Sequence, residues 1–349
     1  MTDRIVMYGA TGYTGQLTAR FAAEQGLDLL LSGRNPDKLR KVAEPLGFDH
    51  RAVDLGDAAG LDDLLTGASV VLHIAGPFSA TSRPMADACL RAGAHYLDIT
   101  GEIDVFEALA ARDAEAKDRG VMLMPGVGFD VVPTDCLAAH LKSRLEDAHE
   151  LRLYIAGLGS ASRGTMKTAV ESLGLGTRVR KDGKIVAVKN PSRATVDFGD
   201  GEKRCLGVGW GDVSTAFHTT GIPNIEVLFQ ANAQLENGAR MSRYFGWLMQ
   251  TSFVQKRLKA SIDRRPAGPS DEKRARSFTR ILGEARNPSG QEVRSLLQTP
   301  EGYTLTALTA LEIVKRTQSG EAQAGFQTPG GLFGGDFVLA FEGCERQDL

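Results

Sequence analysis

The stretch Gly9-Ala10-Thr11-Gly12-Tyr13-Thr14-Gly15 limits what this chain can fold into more than any other part of the sequence. It directly follows a short apolar run, Arg4 to Tyr8, and opens into a helical pattern from Gln16 to Phe21, so strand, glycine turn and helix come in that order. Glycine at 9 lets the chain turn sharply, glycine at 12 lets backbone amides approach a diphosphate, and glycine at 15 lets the helix pack close to the strand. The helix N-terminus then faces an anion with unpaired amides and the positive end of its dipole. The spacing is G-x-x-G-x-x-G rather than the commoner G-x-G-x-x-G, a form that an ordinary tight turn also takes. Context decides between the two.

That context is a regular alternation. Leu27 to Ser32 is a second apolar run, and Gly33-Arg34-Asn35-Pro36 after it starts a helix with proline in the first turn. Arg51 to Asp54, Ser69 to Ala75, His95 to Ile99 and Gly120 to Met124 predict four more strands, with helical patterns at Met85 to Ala92 and Val105 to Asp118. Strands alternating with helices imply a parallel, doubly wound sheet with right-handed crossovers, and apolar strands without a polar face fit a sheet covered on both sides. The expected class is α/β, a Rossmann doubly wound parallel sheet with an inserted α+β domain.

Nucleotide-binding sheets that take NAD usually end the second strand with Asp or Glu, which bonds the ribose hydroxyls. Ser32-Gly33-Arg34 stands there instead. A carboxylate would repel a 2′-phosphate, whereas a small residue followed by a guanidinium leaves room and offers charge-assisted bonds, so NADP(H) is the expected cofactor. Arg34 solvating a loop is the plainer alternative. Asp54 ends the third strand, where it either bonds the adenine edge or caps a turn. Ala75-Gly76-Pro77-Phe78 ends the fourth strand, where such sheets present loops to the nicotinamide ribose; Phe78 either walls the ring or fills the core. His73 reads as structural.

With 349 residues the chain has room for two domains. A net charge of −2 gives no overall electrostatic case for nucleic acid or an anionic membrane surface. Four cysteines without C-x-x-C spacing argue against a zinc site and a disulfide framework and fit a cytoplasmic protein. Neither a signal peptide nor an apolar run long enough to span a bilayer is expected. Tyr-x-x-x-Lys, G-x-S-x-G, H-E-x-x-H and the P-loop pattern are all absent, which leaves hydride transfer as the chemistry best suited to the first half.

Gly9 to Gly15, Ala75 to Phe78, Cys89 to Glu102 and Pro125 to Asp135 together resemble the saccharopine dehydrogenase-like family, nearest its short branch with the trans-acting enoyl reductases. The resemblance covers residues 1 to about 140 and resumes at Gly325 to Gly343. It implies an NADP-binding Rossmann domain at 1–129, an inserted substrate and dimerisation domain at 130–300, and a return to the first domain at 301–349. It implies a homodimer, and a small-molecule or acyl substrate. An NADP-dependent oxidoreductase acting on a C=C or C=N bond follows. A saccharopine-type amino-acid dehydrogenase and an NADP-binding scaffold without turnover remain alternatives.

Asp130 is the one candidate for a catalytic proton or orientation group; it and Asp135 also suit helix capping. Ser160 to Thr165, before a helical stretch at Met166 to Leu173, fits an anion or an ordinary cap. Short strands are expected at Ile185 to Val188, Thr195 to Phe198, Val213 to Phe217, Ile225 to Ala231, Ser277 to Ala285 and Glu292 to Leu297. Arg240 to Ile262 reads as one helix with Met241, Tyr244, Phe245, Trp247, Leu248 and Phe253, either buried, subunit-facing or a lid. Arg264 to Arg276 reads as a loop, and Gly302 to Gln318 as an amphipathic helix.

Overall fold

The computed structural model describes residues 4–172 and 176–349, without the side chains at 172, 234, 239 and 242–245, so Leu173 and the side chains of Tyr244 and Phe245 lie outside the described residues. By contact density the chain divides into Met1–Val132 with Tyr303–Leu332, and Pro133–Gly302 with Phe333–Leu349.

In chain order the first half gives β1 (Arg4–Tyr8), α1 (Tyr13–Glu24), β2 (Leu29–Gly33), α2 (Pro36–Ala43), β3 (His50–Ala52), α3 (Ala58–Leu64), β4 (Ala68–His73), α4 (Phe78–Ala92), β5 (His95–Asp98), α5 (Ile103–Ala110), α6 (Asp113–Asp118) and β6 (Met122–Met124). There follow α7 (Val132–Arg144), β7 (Glu150–Ala156), α8 (Arg163–Ser172), β8 (Thr177–Lys181), β9 (Lys184–Val188), β10 (Arg193–Asp197), β11 (Glu202–Val208), α9 (Asp212–Thr220), β12 (Asn224–Gln230), α10 (Ala233–Met249), α11 (Ser252–Ile262), α12 (Asp271–Arg276), β13 (Phe278–Arg286) and β14 (Glu292–Pro300). The chain closes with α13 (Gly302–Arg316), β15 (Gly325–Phe326), α14 (Pro329–Phe333) and β16 (Glu345–Asp348).

The first unit holds a seven-stranded sheet in the order β15-β6-β5-β4-β1-β2-β3. Every pairing in it is parallel, with Ile5 opposite Leu29 and Val70 across the β1 seams. This is the doubly wound order, whose direction reverses between β1 and β4. Apolar side chains fill both faces: Val6, Val71, Tyr96 and Leu123 sit in one buried cluster with Met85 and Leu90 of α4. Helix starts are set locally. Asn35 accepts the Lys38 amide at 2.9 Å and Asp57 accepts that of Gly60 at 2.9 Å.

The second unit holds a mixed sheet in the order β10-β11-β12-β7-β13-β14-β16, with β8 on β12 and β9 on β8. Only β12 and β7 run parallel; the other pairs are antiparallel. Tyr154, Phe198, Leu228 and Leu282 form a buried cluster on it.

Four stretches fold differently from the expected pattern. Val213 to Phe217 is helical, within α9, because Asp212 occupies the first turn, Gly221 closes the helix at φ 70°, and buried Val213, Ala216 and Thr220 repeat at helical spacing. Arg240 to Ile262 is two helices, broken at Gln250 and Thr251. Asp271–Arg276 is helical rather than loop, started by Ser270, whose hydroxyl accepts the Lys273 amide. The stretch 301–349 is divided: α13 and β15 lie in the first unit, but β16 pairs with β14 in the second sheet, Leu296 opposite Gln347. Alternation in Cys344 to Asp348 is too short to announce that strand.

Candidate functional site

Because every strand of the first sheet points the same way, the loops after β1, β4, β5 and β6 share its carboxyl edge, with β1 and β4 at the switch point. Gly9 has φ 102°, and a Cβ there would lie 2.7 Å from the Ala75 amide nitrogen. Gly15 is equally constrained, since its Cβ would meet the Gly9 carbonyl oxygen at 2.4 Å. Protein packing therefore demands both.

Gly12 differs. Its φ of −75° and ψ of 168° suit any residue, and a Cβ would touch only the Gly9 oxygen, at 3.5 Å. Nothing in the protein requires glycine here. Gly12 is the N-cap of α1, which receives no side-chain cap and has no acidic residue in its first turn. The amides of Gly9 and Ala10 are spent on the Ser32 carbonyl, at 2.8 and 3.2 Å. The first helical bond runs from the Gln16 amide to the Gly12 carbonyl at 2.9 Å, and the Gly12 amide itself donates to the Gly9 carbonyl at 3.1 Å. A bare, positively polarised helix end beside a glycine with open space fits a diphosphate. Thr11, Tyr13 and Thr14 are half-buried around it, Tyr13 edge-on to Tyr303 at 5.1 Å.

The N-terminus of α4 presents the opposite case. Glu102 accepts the Phe78 amide at 2.8 Å and the Ser79 amide at 2.7 Å, so the chain's own carboxylate fills that helix end. Sequence reasoning missed this role; its signal is the acid that closes the Asp98 to Glu102 segment.

At the end of β2 the Ser32 hydroxyl is buried and donates to the Arg51 carbonyl at 2.8 Å, so it supports the turn rather than facing a ligand. Arg51 pairs with Asp63. Arg34 is exposed and makes no ion pair among the described residues. Asp54 accepts the Gly56 amide at 2.8 Å, a turn cap, and stays exposed. Tyr8 lies under this edge, its hydroxyl donating to the Val53 carbonyl at 2.9 Å; burial, with Asp54 adding to it, pushes the phenol up to about 12.

Phe78 is buried in the core and meets His73 edge-on at 5.5 Å. The exposed backbone of the turn is at Gly76, flanked by half-buried Ala75 and Pro77, and the Gly76–Pro77 bond is cis. Thr81 donates its hydroxyl to the Ala75 carbonyl at 2.6 Å, so His73 Nε2, 3.1 Å from that hydroxyl, carries a proton and donates to it. Burial drives the His73 imidazole down to about 3, so it stays neutral.

Asp98 ends β5. Its Oδ1 accepts the Thr100 and Gly126 amides at 2.9 and 3.0 Å, and Oδ2 accepts the Tyr96 hydroxyl at 2.6 Å. Burial pushes its carboxyl up to about 7 against the pull of those donors. Asp130 follows β6 in a loop held to α13 through the Phe129 amide and the Thr306 hydroxyl, 3.0 Å apart. Burial pushes the Asp130 carboxyl up to about 7 as well. A Cβ on Gly101 would lie 2.9 Å from its Oδ2. The loops are thus linked in series: Gly9 against Ala75, Phe78 on Glu102, Gly101 against Asp130. Asp135, by contrast, is buried and accepts the Thr219 hydroxyl at 2.6 Å in the second unit. Ser162 accepts the Thr165 amide at 3.2 Å, an ordinary cap. Among the described residues no cluster of ligating side chains could hold a metal.

Residues 5–124 match the family model for the saccharopine dehydrogenase NADP-binding domain. A trans-acting enoyl reductase from Mycobacterium ulcerans is 35% identical over 148 residues, which cover 40% of this chain and 35% of that protein. One from Mycobacterium tuberculosis is 36% identical over 141 residues, 38% of this chain and 33% of that protein. The chain spans about a third of the length of these curated relatives. Saccharopine dehydrogenase (L-Glu forming) from Saccharomyces cerevisiae superposes with a TM-score of 0.64 at 13% identity, covering 99% of this chain and all of that one, which shows a shared fold. Residues 5–124 thus resemble a saccharopine dehydrogenase NADP-binding domain, and the likeness to that family model is confined to them.

Proposed function

We propose that the protein is an NADPH-dependent oxidoreductase that reduces a C=C or C=N bond of a small or lipid-like substrate, acyl groups included. The observation that carries this reading is the uncapped N-terminus of α1, with open space over Gly12, at the switch point of a doubly wound sheet. Gly9 to Gly15 cradle the diphosphate, Arg34 grips the 2′-phosphate and Asp54 borders the adenine. The backbone of Ala75, Gly76 and Pro77 lines the nicotinamide ribose. NADPH supplies a hydride when bound.

Asp130 holds the complementary proton. A carboxyl pushed up to about 7 is still protonated near neutrality and can donate to the carbon or nitrogen left electron-rich by reduction. Its proton is given up once per turnover and regained from solvent. The second unit supplies the contact of a homodimer. Four free cysteines, all buried, fit a cytoplasmic setting.

The test is transfer of label from NADPH deuterated at C4 to a panel of enones, enoyl thioesters, imines and keto acids. Label in a reduced C=C or C=N product supports the reading. Turnover of a keto acid with an amine instead favours an amino-acid dehydrogenase, and a tight NADPH complex without turnover on any member favours a scaffold.

A further inference from the structure

The overall charge of −2 conceals a segment of opposite character. Between Arg240 and Arg265 the sequence holds seven Lys or Arg and a single acid, Asp263. That acid is already used, since Lys167 Nζ lies 2.6 Å from it. In the second unit, α11 packs one face on α8: Gln255 donates to the Val170 carbonyl at 2.8 Å and Lys259 to Glu171 at 2.6 Å. Phe253, Lys256, Arg257 and Ala260 repeat at i, i+3, i+4 and i+7 on the other face, and all are exposed. Lys256, Arg257 and Arg264 make no ion pair among the described residues.

Beside this cationic face, at the corner where α10 meets α11, lie exposed apolar groups. Trp247 and Phe253 are each 73% exposed, and Met241 and Leu248, seven residues apart on α10, are exposed as well. Aromatic and aliphatic side chains that enter the headgroup boundary, ringed by Lys and Arg, are the recognition chemistry of an anionic bilayer surface. A second copy of the chain fits worse, because a two-fold contact through this corner sets Lys256 and Arg257 against themselves.

We infer that the α10–α11 corner docks the protein on the surface of an anionic phospholipid bilayer, with Trp247 and Phe253 inserted among the headgroups and Lys256, Arg257 and Arg264 facing lipid phosphate. No helix among the described residues is long and apolar enough to cross a membrane, so contact at this corner is peripheral.

The full chain is mixed with phosphatidylcholine vesicles and with vesicles containing an equal part of phosphatidylglycerol, at low and at physiological salt. Binding should be at least about tenfold stronger to the anionic vesicles and should weaken with salt. The chain has two tryptophans, and Trp210 is packed on Phe229 at 4.8 Å, so a blue shift of emission on binding reports Trp247. Trp247→Ser with Phe253→Ser, and separately Lys256→Glu with Arg257→Glu, should each abolish binding while circular dichroism and NADPH affinity stay unchanged. Equal binding to both vesicle types, or variants that bind like the parent, would overturn the inference. So would a dimer in sedimentation velocity that these variants dissociate, which would assign the corner to a second copy.

Discussion

Three glycines of one motif answer to different forces, and substitution separates them. Gly15→Ala places a methyl group 2.4 Å from the Gly9 oxygen and should destabilise the fold by about 1–3 kcal/mol. Gly12→Ala meets only a contact at 3.5 Å and has a φ that alanine accepts, so stability should hold or rise by up to ~1 kcal/mol. Its NADPH affinity should nonetheless fall at least about tenfold, because the methyl group occupies the diphosphate's space; thermal melts and calorimetry on the two variants check the contrast. Asp130 gives a pH prediction. Its carboxyl is pushed from the usual 3.8 up to about 7 in the fold, so the stability it contributes is complete below about 4 and is lost as pH rises through 7. Asp130→Asn should therefore match the parent near pH 4 and be more stable at pH 8, by about 1–2 kcal/mol for a half-buried side chain. In turnover the parent's kcat should decline above pH 7, and the same variant should lose that decline. A kcat profile unchanged by the substitution would remove Asp130 from the proton path.

Among elements, α1 and α4 start at the same edge of the sheet and differ in what neutralises them. Glu102 occupies the end of α4 through two amides, so Glu102→Ala should cost about 1–2 kcal/mol and loosen the 75–78 turn. Denaturant unfolding would show the loss, and Glu102→Gln should restore part of it. The strand, turn and helix order of the first unit was legible because buried parallel strands are uniformly apolar and glycine turns punctuate them. Phe78 and Ser32 were not, because a residue at a strand end can face core or ligand with no change in pattern: Phe78 went to the His73 cluster and Ser32 to the Arg51 carbonyl. Val213 to Phe217 misled for a related reason, since five residues rich in β-branched groups suit either period.

On the scale of the whole molecule, the sequence tied its ends to the first sheet, yet β15 pairs with β6 while β16 joins β14 in the second sheet. Such pairings join residues far apart in sequence, and a four-residue edge strand leaves no pattern of its own. The long-range contacts that link Gly9, Ala75, Glu102, Gly101 and Asp130 were equally hidden, although each residue lay in a segment with family likeness. On the proposed function this edge holds NADP(H) and chooses it over NAD(H). Arg34 is the exposed cation at the end of β2, where no carboxylate stands to bond a bare ribose. A hydrogen bond to a charged group is worth about 1.5–3 kcal/mol, and each ~1.4 kcal/mol is a factor of ten. Calorimetric titration of the full chain with NADPH and NADH should give roughly a ten- to hundredfold preference for NADPH, erased in Arg34→Ala with NADH affinity nearly unchanged. Equal affinities for the two nucleotides in the parent protein would contradict it.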